Sequence, residues 1–336
     1  MKEITTLGID LAKNIFQLHG VDRHGKSVLK KAISRAKFLE TLANIPPCLV
    51  GIEACGGAHH WAREIGKLGH QVRIIAPQFV SPYRKSGKND ANDSEAICEA
   101  VARPNMRFVA IKTPEQQAAL VVHRAREAIK TERTALINQI RGLLQEFGIV
   151  LPQGAATFSK RLVEVLEDSG MPLEAVGVFA ELRGHLLRLE ERQADYDRRI
   201  ARLAQDKTAQ RLAEIPGVGP VTATAVVASV GDAKLFHNGR ELAAWVGLVP
   251  KQSISGGKTR LGRITKHGDS YLRTLFVQGA MTVILHLGEK TDPRSQWIRN
   301  LVARRGTQKA TVALAAKTVR TVWALMAREE HYRQAA

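Results

Sequence analysis

Over the first hundred residues the apolar positions fall in short, partly alternating, β-branched runs bounded by turn residues, the pattern of strands. ITTLGID (4–10), NIFQLHGV (14–21) and SVLKKA (27–32) come first, with His24-Gly25 between the second and third. A helical pattern over 35–44 stops at Pro46-Pro47. LVGIEA (49–54) predicts a fourth strand, broken by Gly56-Gly57, and a helix over 58–68 ends at Gly69. QVRIIA (71–76) predicts another strand before Pro77, and 92–102 a helix closed by Pro104. Three strands, a helix, then alternating strand and helix make an α/β domain.

From Pro114 the period changes to that of long helices. Segments 115–147 and 173–207 are almost free of Gly and Pro and rich in Arg, Glu, Leu and Ala. In the second, Leu182, Leu186, Leu189, Tyr196, Ile200 and Leu203 recur at helical spacing. The pattern suits a coiled-coil hairpin or dimer seam, and equally two helices of an ordinary bundle. Pro152, Gly154, Gly170 and Pro172 mark 148–172 as a connection. Two helical patterns then flank the tight Pro216-Gly217-Val218-Gly219-Pro220 turn, and more helix follows at 239–246. The basic, Gly-rich stretch 251–269 predicts a loop or hairpin, and 270–288 and 296–328 predict helices. The fold class is therefore α/β plus all-α, in three domains: 1–114, 115–207 and 208–336.

Charge narrows the partner. Lys and Arg number 50 against 32 Asp and Glu, a net +18, and 19 Lys/Arg against 8 Asp/Glu from residue 208 onward place +11 of it there. Such a surplus predicts a polyanionic partner, most often nucleic acid. Aromatics at 5% offer no platform for base stacking. Cys48, Cys55 and Cys98 have neither disulfide-framework nor zinc-finger spacing. With no signal-peptide pattern and no apolar run near the ~20 residues of a membrane span, the expectation is a cytoplasmic protein without a membrane role.

The candidate chemistry begins with carboxylates. Asp10 ends the first strand after Gly8-Ile9, and Glu53 ends the fourth after Gly51-Ile52. Asp90 and Asp93, three apart at a helix start, share a face. Singly, each has an ordinary structural reading: a strand-end turn residue, or an N-cap with a dipole partner. Together, four carboxylates repel unless cations join them, and an all-oxygen set suits Mg²⁺ or Mn²⁺. Two such ions could clamp both oxygens of a phosphoryl transfer. The element order matches a ribonuclease-H-like domain, with carboxylates on the first strand, the fourth strand and a late helix.

The Gly217 and Gly219 turn has the form of a helix-hairpin-helix, in which backbone N–H groups meet a DNA phosphate; a plain helix corner is the alternative. In the stretch beginning Gln252-Ser253-Ile254-Ser255-Gly256-Gly257, the cations Lys258, Arg260, Arg263 and Lys266 could neutralise phosphate. By residue chemistry alone a flexible phosphate-binding loop is favoured over a catalytic serine, because a serine nucleophile needs an activating base or metal. Lys85 and Lys88, ahead of the aspartate pair, either meet phosphate or are solvated, as does Arg273; His59-His60 fit a helix start with one ring buried.

GIDLAK, GIEACGG, KNDANDSEA, IPGVGPVTA and WVGLVPKQSISGGKTRLGRITKHGD, in this order and over essentially the whole chain, resemble the DEDD transposases of bacterial insertion sequences. Relatives of that family include the pilin-gene invertase and RNA-guided bridge recombinases. The resemblance implies a RuvC-like N-terminal domain with a ribonuclease H fold, whose metal-binding tetrad is Asp10, Glu53, Asp90 and Asp93. It implies a coiled-coil insertion and a C-terminal transposase domain whose serine forms a covalent phosphoserine–DNA link. Ser255 matches the serine before glycine; Ser253 is the second choice. It further implies DNA at the element ends and target and a structured guide RNA. The carboxylates themselves call for the Mg²⁺, the long helices are the natural contacts of a homo-oligomer (dimer or tetramer), and a serine and carboxylates in different domains suit a site composed across subunits.

Three rival functions share some of these features. A RuvC-type junction nuclease would use the same carboxylates with water as nucleophile, making Ser255 dispensable. An actin-like ATPase or sugar kinase requires a glycine after the first aspartate, whereas Asp10-Leu11-Ala12-Lys13 has none. A non-catalytic DNA-binding protein leaves the carboxylates unexplained.

Overall fold

The computed structural model describes residues 3–85, 87, 89–168 and 170–333, so Lys88 lies outside the described residues. The chain divides into two compact units, Met1–Thr113 and Pro114–Ala336.

The first unit is a mixed sheet covered on both faces. Strands β1 (Thr6–Asp10), β2 (Ile15–Val21) and β3 (Ser27–Ser34) form an antiparallel meander. After helix α1 (Phe38–Ala43), β4 (Leu49–Glu53) pairs parallel to β1 on its other side. Helix α2 (Ala58–Lys67) leads to β5 (Gln71–Ile75), parallel to β4. The short helix α3 (Pro77–Val80) precedes α4 (Asp90–Val101), and the two-residue β6 (Phe108–Val109) closes the order β3-β2-β1-β4-β5-β6.

Strand alternation decides what each face carries. Leu7, Ile9, Val50 and Ile52 point to the core built by α1 and α2, where Phe16, Phe38 and Trp61 meet edge to face at 4.6–5.2 Å. Gly8 and Gly51, side by side in the β1–β4 register, point the other way, under α4. A Cβ on Gly8 would collide with the Ser94 carbonyl oxygen and the Cys98 amide nitrogen; one on Gly51 would come within 2.7 Å of Val101 Cβ. The two glycines therefore let α4 lie directly on the strand backbones.

Among the described residues the second unit is helical except for one hairpin. Helices α5 (Pro114–Gln145) and α7 (Leu173–Leu203) run antiparallel, tied by Arg126–Asp197 at 2.5 Å and Arg133–Glu190 at 2.8 Å. Between them lies α6 (Ala155–Asp168). The remaining elements are α8 (Lys207–Ala213), α9 (Pro220–Val230), α10 (Gly239–Val246), the hairpin β7 (Pro250–Ser255) and β8 (Lys258–Ile264), α11 (Ser270–Leu285), α12 (Pro293–Arg305) and α13 (Thr307–Arg328). Ile215, Val226, Phe276, Leu314 and Val322 belong to one core shared by these helices.

Three sequence expectations need correction. The connection 148–172 contains α6, because Phe158 and Leu162 bury fully against the α5–α7 seam; the flanking Pro and Gly had hidden a helix held by tertiary contact. The helix expected over 296–328 is two, broken at Gly306, whose φ of 77° ends α12. The helix expected from 92 begins at Asp90, because Asn89 takes the cap.

Candidate functional site

The first unit gathers its carboxylates at one end of the sheet. Asp10 follows Gly8, and Glu53 follows Gly51, by two residues, so the acids share the α4 face of neighbouring parallel strands, at their C-terminal ends. Helix α4 runs opposite to β1: the Cys98 thiol reaches the Thr6 carbonyl at 3.7 Å, Ser94 lies over Gly8, and the charges of Asp90 and Asp93 act on Asp10. Its N-terminal turn, with Asp90 and Asp93, therefore comes to the strand ends. The Asn89 side chain caps the helix by accepting from the Asn92 amide at 2.8 Å. Neither Asp90 nor Asp93 is the cap, so the capping reading of that pair does not hold.

Burial, then the charges of Asp90, Asp93 and Glu53, push the Asp10 carboxyl from 3.8 up to about 6; the guanidinium of Arg84 works against the rise. Arg84 Nε donates to Asp93 Oδ1 at 2.5 Å, both side chains being largely buried. Cys55 lies beside the group, its thiol pushed up by burial and by Asp10 and Glu53. Among the described residues no three His, Cys, Asp or Glu side chains close on a common point as a finished metal cage. The chemistry of the set nonetheless fits a hard divalent cation: every donor is a carboxylate oxygen, and their mutual repulsion is only partly balanced by Arg84. The sequence reading missed Arg84; its available signal was a cation six residues ahead of Asp90. Lys85, by contrast, is taken up by ion pairs with Glu95 and Glu99, both at 3.1 Å.

The Asp10 shift predicts a pH dependence. Unfolded, the group titrates near its ordinary value; folded, it holds its proton to about 6. Its stabilising contribution is present at low pH and lost as pH rises through about 6. In EDTA, Asp10→Asn should therefore raise the melting temperature at pH 7.5 more than at pH 4.5. Equal shifts at both values would contradict the placement of Asp10.

In the second unit, Gly217 has φ +90° and packs on Gly279 of α11, where a Cβ would come within 2.9 Å of the Gly279 carbonyl oxygen. Its need for glycine is explained by that internal contact. Gly219 is exposed at the start of α9, which has no side-chain cap. The 251–269 stretch is a hairpin: Gly256 and Gly257, φ +54° and +73°, turn the chain between the paired Ser255 and Lys258. Ser253 pairs with Arg260, two positions back, so both serines, Lys258 and Arg260 share one face; Ile254 and Leu261 lie on the other. Ser253, Ser255, Lys258, Arg260 and Arg263 are all exposed.

The base of the hairpin is fixed while its tip projects. The Lys266 amide donates to the Gly247 carbonyl at 3.2 Å and that of Thr265 to Val249 at 2.9 Å. Arg273 Nη1 donates to the Val246 carbonyl at 2.9 Å, which ties this side chain to the base. His59 is half-buried, with its Nδ1 accepting from the Lys112 amide at 3.2 Å, and His60 is exposed; neither is buried as expected. No helix among the described residues is long and apolar enough to cross a membrane.

Comparison with known proteins accounts for both units. Residues 7–149 match the DEDD-type IS110 family described as a transposase, and residues 209–296 match the family described as Transposase IS116/IS110/IS902. A probable family 20 transposase of Pseudomonas aeruginosa is 48% identical over 98% of this chain and 99% of its own. The transposase for insertion sequence element IS1111A of Coxiella burnetii is 44% identical over 99% and 92%. The transposase for IS1328 of Yersinia enterocolitica is 42% identical over 96% and 97%.

Proposed function

Since the chain belongs to the IS116/IS110/IS902 family of insertion-sequence transposases, enzymes that act on DNA, we propose that it cuts and rejoins strands through a phosphoserine link assisted by divalent metal. The observation that carries this reading is the gathering of Glu53, Asp90 and Asp93 around the Asp10 carboxyl, whose proton affinity is raised by burial and by these three charges. These four would hold Mg²⁺ or Mn²⁺, which would supply Lewis-acid polarisation of the scissile phosphate. Arg84 orients Asp93 and supplies part of the positive charge that keeps the carboxylates together.

Ser255 is the nucleophile in this reading. Its Oγ attacks phosphorus, the Oγ–P bond forms, and the bond to the leaving 3′-oxygen breaks, that oxygen taking a proton. A free 3′-hydroxyl then attacks the phosphoserine, restores a phosphodiester and returns the serine. Lys258, opposite Ser255 in the hairpin, and Arg260 stand on the serine face, where they can pair with phosphate oxygens. Arg263, Lys266 and the Gly217–Gly219 turn would contact further backbone, as in a helix-hairpin-helix. Ser253 shares the face and remains the second choice.

The chain works as three domains, 1–114, 115–207 and 208–336, with the RuvC-like fold in the first. The antiparallel α5–α7 pair supplies the coiled-coil contact of a dimer or tetramer. Sequence choice is delegated to a structured RNA, for which a basic protein with few base-reading aromatics is suited.

The test is covalent trapping. Protein, co-purifying RNA and labelled element-end DNA are mixed with Mg²⁺ and denatured, and any adduct is mapped by mass spectrometry. A Mg²⁺-dependent adduct on Ser255 is expected. Cleaved DNA without an adduct would overturn the serine mechanism in favour of a nuclease that uses water.

A further inference from the structure

We propose that Arg294, Lys317 and Arg320 form a strip on the second unit that binds the phosphodiester backbone of nucleic acid. It rests on the reading of the chain as an enzyme of nucleic acid, and it adds a surface apart from the serine hairpin. Lys317 and Arg320 lie beyond both matched segments.

Helix periodicity and one contact build the strip. Arg294 and Trp297 are three apart on α12, and Lys317 and Arg320 three apart on α13, so each pair shares a helix face. Lys317 Nζ stands 4.3 Å above the centre of the Trp297 ring and joins the two faces. Arg294 is held by donating to the Pro216 carbonyl at 3.1 Å and to the Tyr332 hydroxyl at 3.4 Å. The root of Arg320 is fixed against Gly239, where a Cβ would come within 2.9 Å of Arg320 Cα. The stems are thus ordered, and Lys317 and Arg320 present exposed heads.

The charge of the strip is not balanced from within the fold. Elsewhere basic side chains meet acids, as in Arg126–Asp197, Arg133–Glu190 and Lys85–Glu95. Among the described residues, none of these three cations pairs with a carboxylate. The acid nearest in sequence, Asp292, caps α12, accepting from the Ser295 amide at 3.0 Å and its hydroxyl at 2.5 Å. Partial burial, then repulsion from Arg294 and Arg320, holds the Lys317 ammonium below the ordinary lysine range. Like charges held together by a packed scaffold repel until an external anion joins them, and a polymer of phosphates supplies one at each step. Arg294 also ties the strip to the carbonyl of Pro216, at the turn whose exposed Gly219 opens α9. A single backbone can thus track from turn to strip.

The experiment is equilibrium binding of the full chain across a salt series, in two arms, duplex DNA and structured RNA. The double variant Lys317→Gln with Arg320→Gln should lower the slope of log affinity against log salt by about 1.8 in duplex DNA, at ~0.9 for each phosphate no longer neutralised. The pair Lys317→Arg with Arg320→Lys should keep the slope, which separates charge from folding. A drop confined to one arm supports the strip and assigns it to that polymer. An unchanged slope in both arms, with the wild type binding, overturns the strip alone. A wild type that binds neither polymer overturns the nucleic-acid reading and the strip with it.

Discussion

Asp10→Asn should lower strand cleavage on the order of 10³-fold or more while leaving DNA affinity nearly unchanged. A metal's stabilisation of a phosphoryl transition state is worth several kcal/mol, and each ~1.4 kcal/mol is tenfold in rate. Asparagine keeps the shape and removes the charge. The environment of Asp10 opposes its ionisation: burial and its three acidic neighbours push it to about 6. Removing that charge relieves repulsion, so the variant should melt higher than the wild type at neutral pH in EDTA. Loss of cleavage with a gain in stability is a combination that misfolding cannot produce. Cleavage retained by the variant under saturating Mg²⁺ would remove Asp10 from the metal role. Loss accompanied by a lower melting temperature would point to a structural role instead.

Gly8→Ala should destabilise the first unit by about 3 kcal/mol, at the upper end of the usual cost of overpacking a core, and cleavage should fall with it. The added methyl would meet the Ser94 carbonyl oxygen and the Cys98 amide nitrogen, backbone atoms of α4, and Cys98 Cβ at 2.7 Å. No flexible side-chain end can swing aside there, so α4 itself must lift from β1. The helix carries Asp90 and Asp93, so lifting it also parts the carboxylates. Gly66→Ala is the control. Gly66 sits inside α2 with nothing within 4 Å of a new Cβ, and alanine there should stabilise by up to ~1 kcal/mol. Chemical denaturation of the two variants would check the contrast. A Gly8→Ala protein as stable as the wild type would mean that α4 does not rest on the strand backbone.

Much of the first unit was legible because its signals are local. Alternation over five to eight residues marked β1, β2 and β3, and Gly and Pro marked their ends. The element order matched a ribonuclease-H-like domain, but the parallel pairing of β1 with β4 that sets Asp10 beside Glu53 came from the structure. Helix α6 was not legible, because Pro152, Gly154 and Gly170 outweigh a short apolar face whose Phe158 and Leu162 find their partners on α5 and α7. The break at Gly306 was hidden for the opposite reason: the helical period continues on both sides of a single glycine whose φ of 77° the period does not register.

The sequence by itself determined the strand ends, the residue types at them, the basic surplus of the last third, and the two serines ahead of a two-glycine turn. These depend on neighbours within a few positions, where period and backbone preference act directly. Only the tertiary structure decided that Asn89 and not Asp90 caps α4, that Arg84 answers Asp93, and that Gly217 serves Gly279. It also decided that Arg294, Lys317 and Arg320 share one strip. Such juxtapositions join residues far apart in the chain, and the burial of apolar faces elsewhere chooses them: a cation's sequence neighbours do not say which helix will pack beside it.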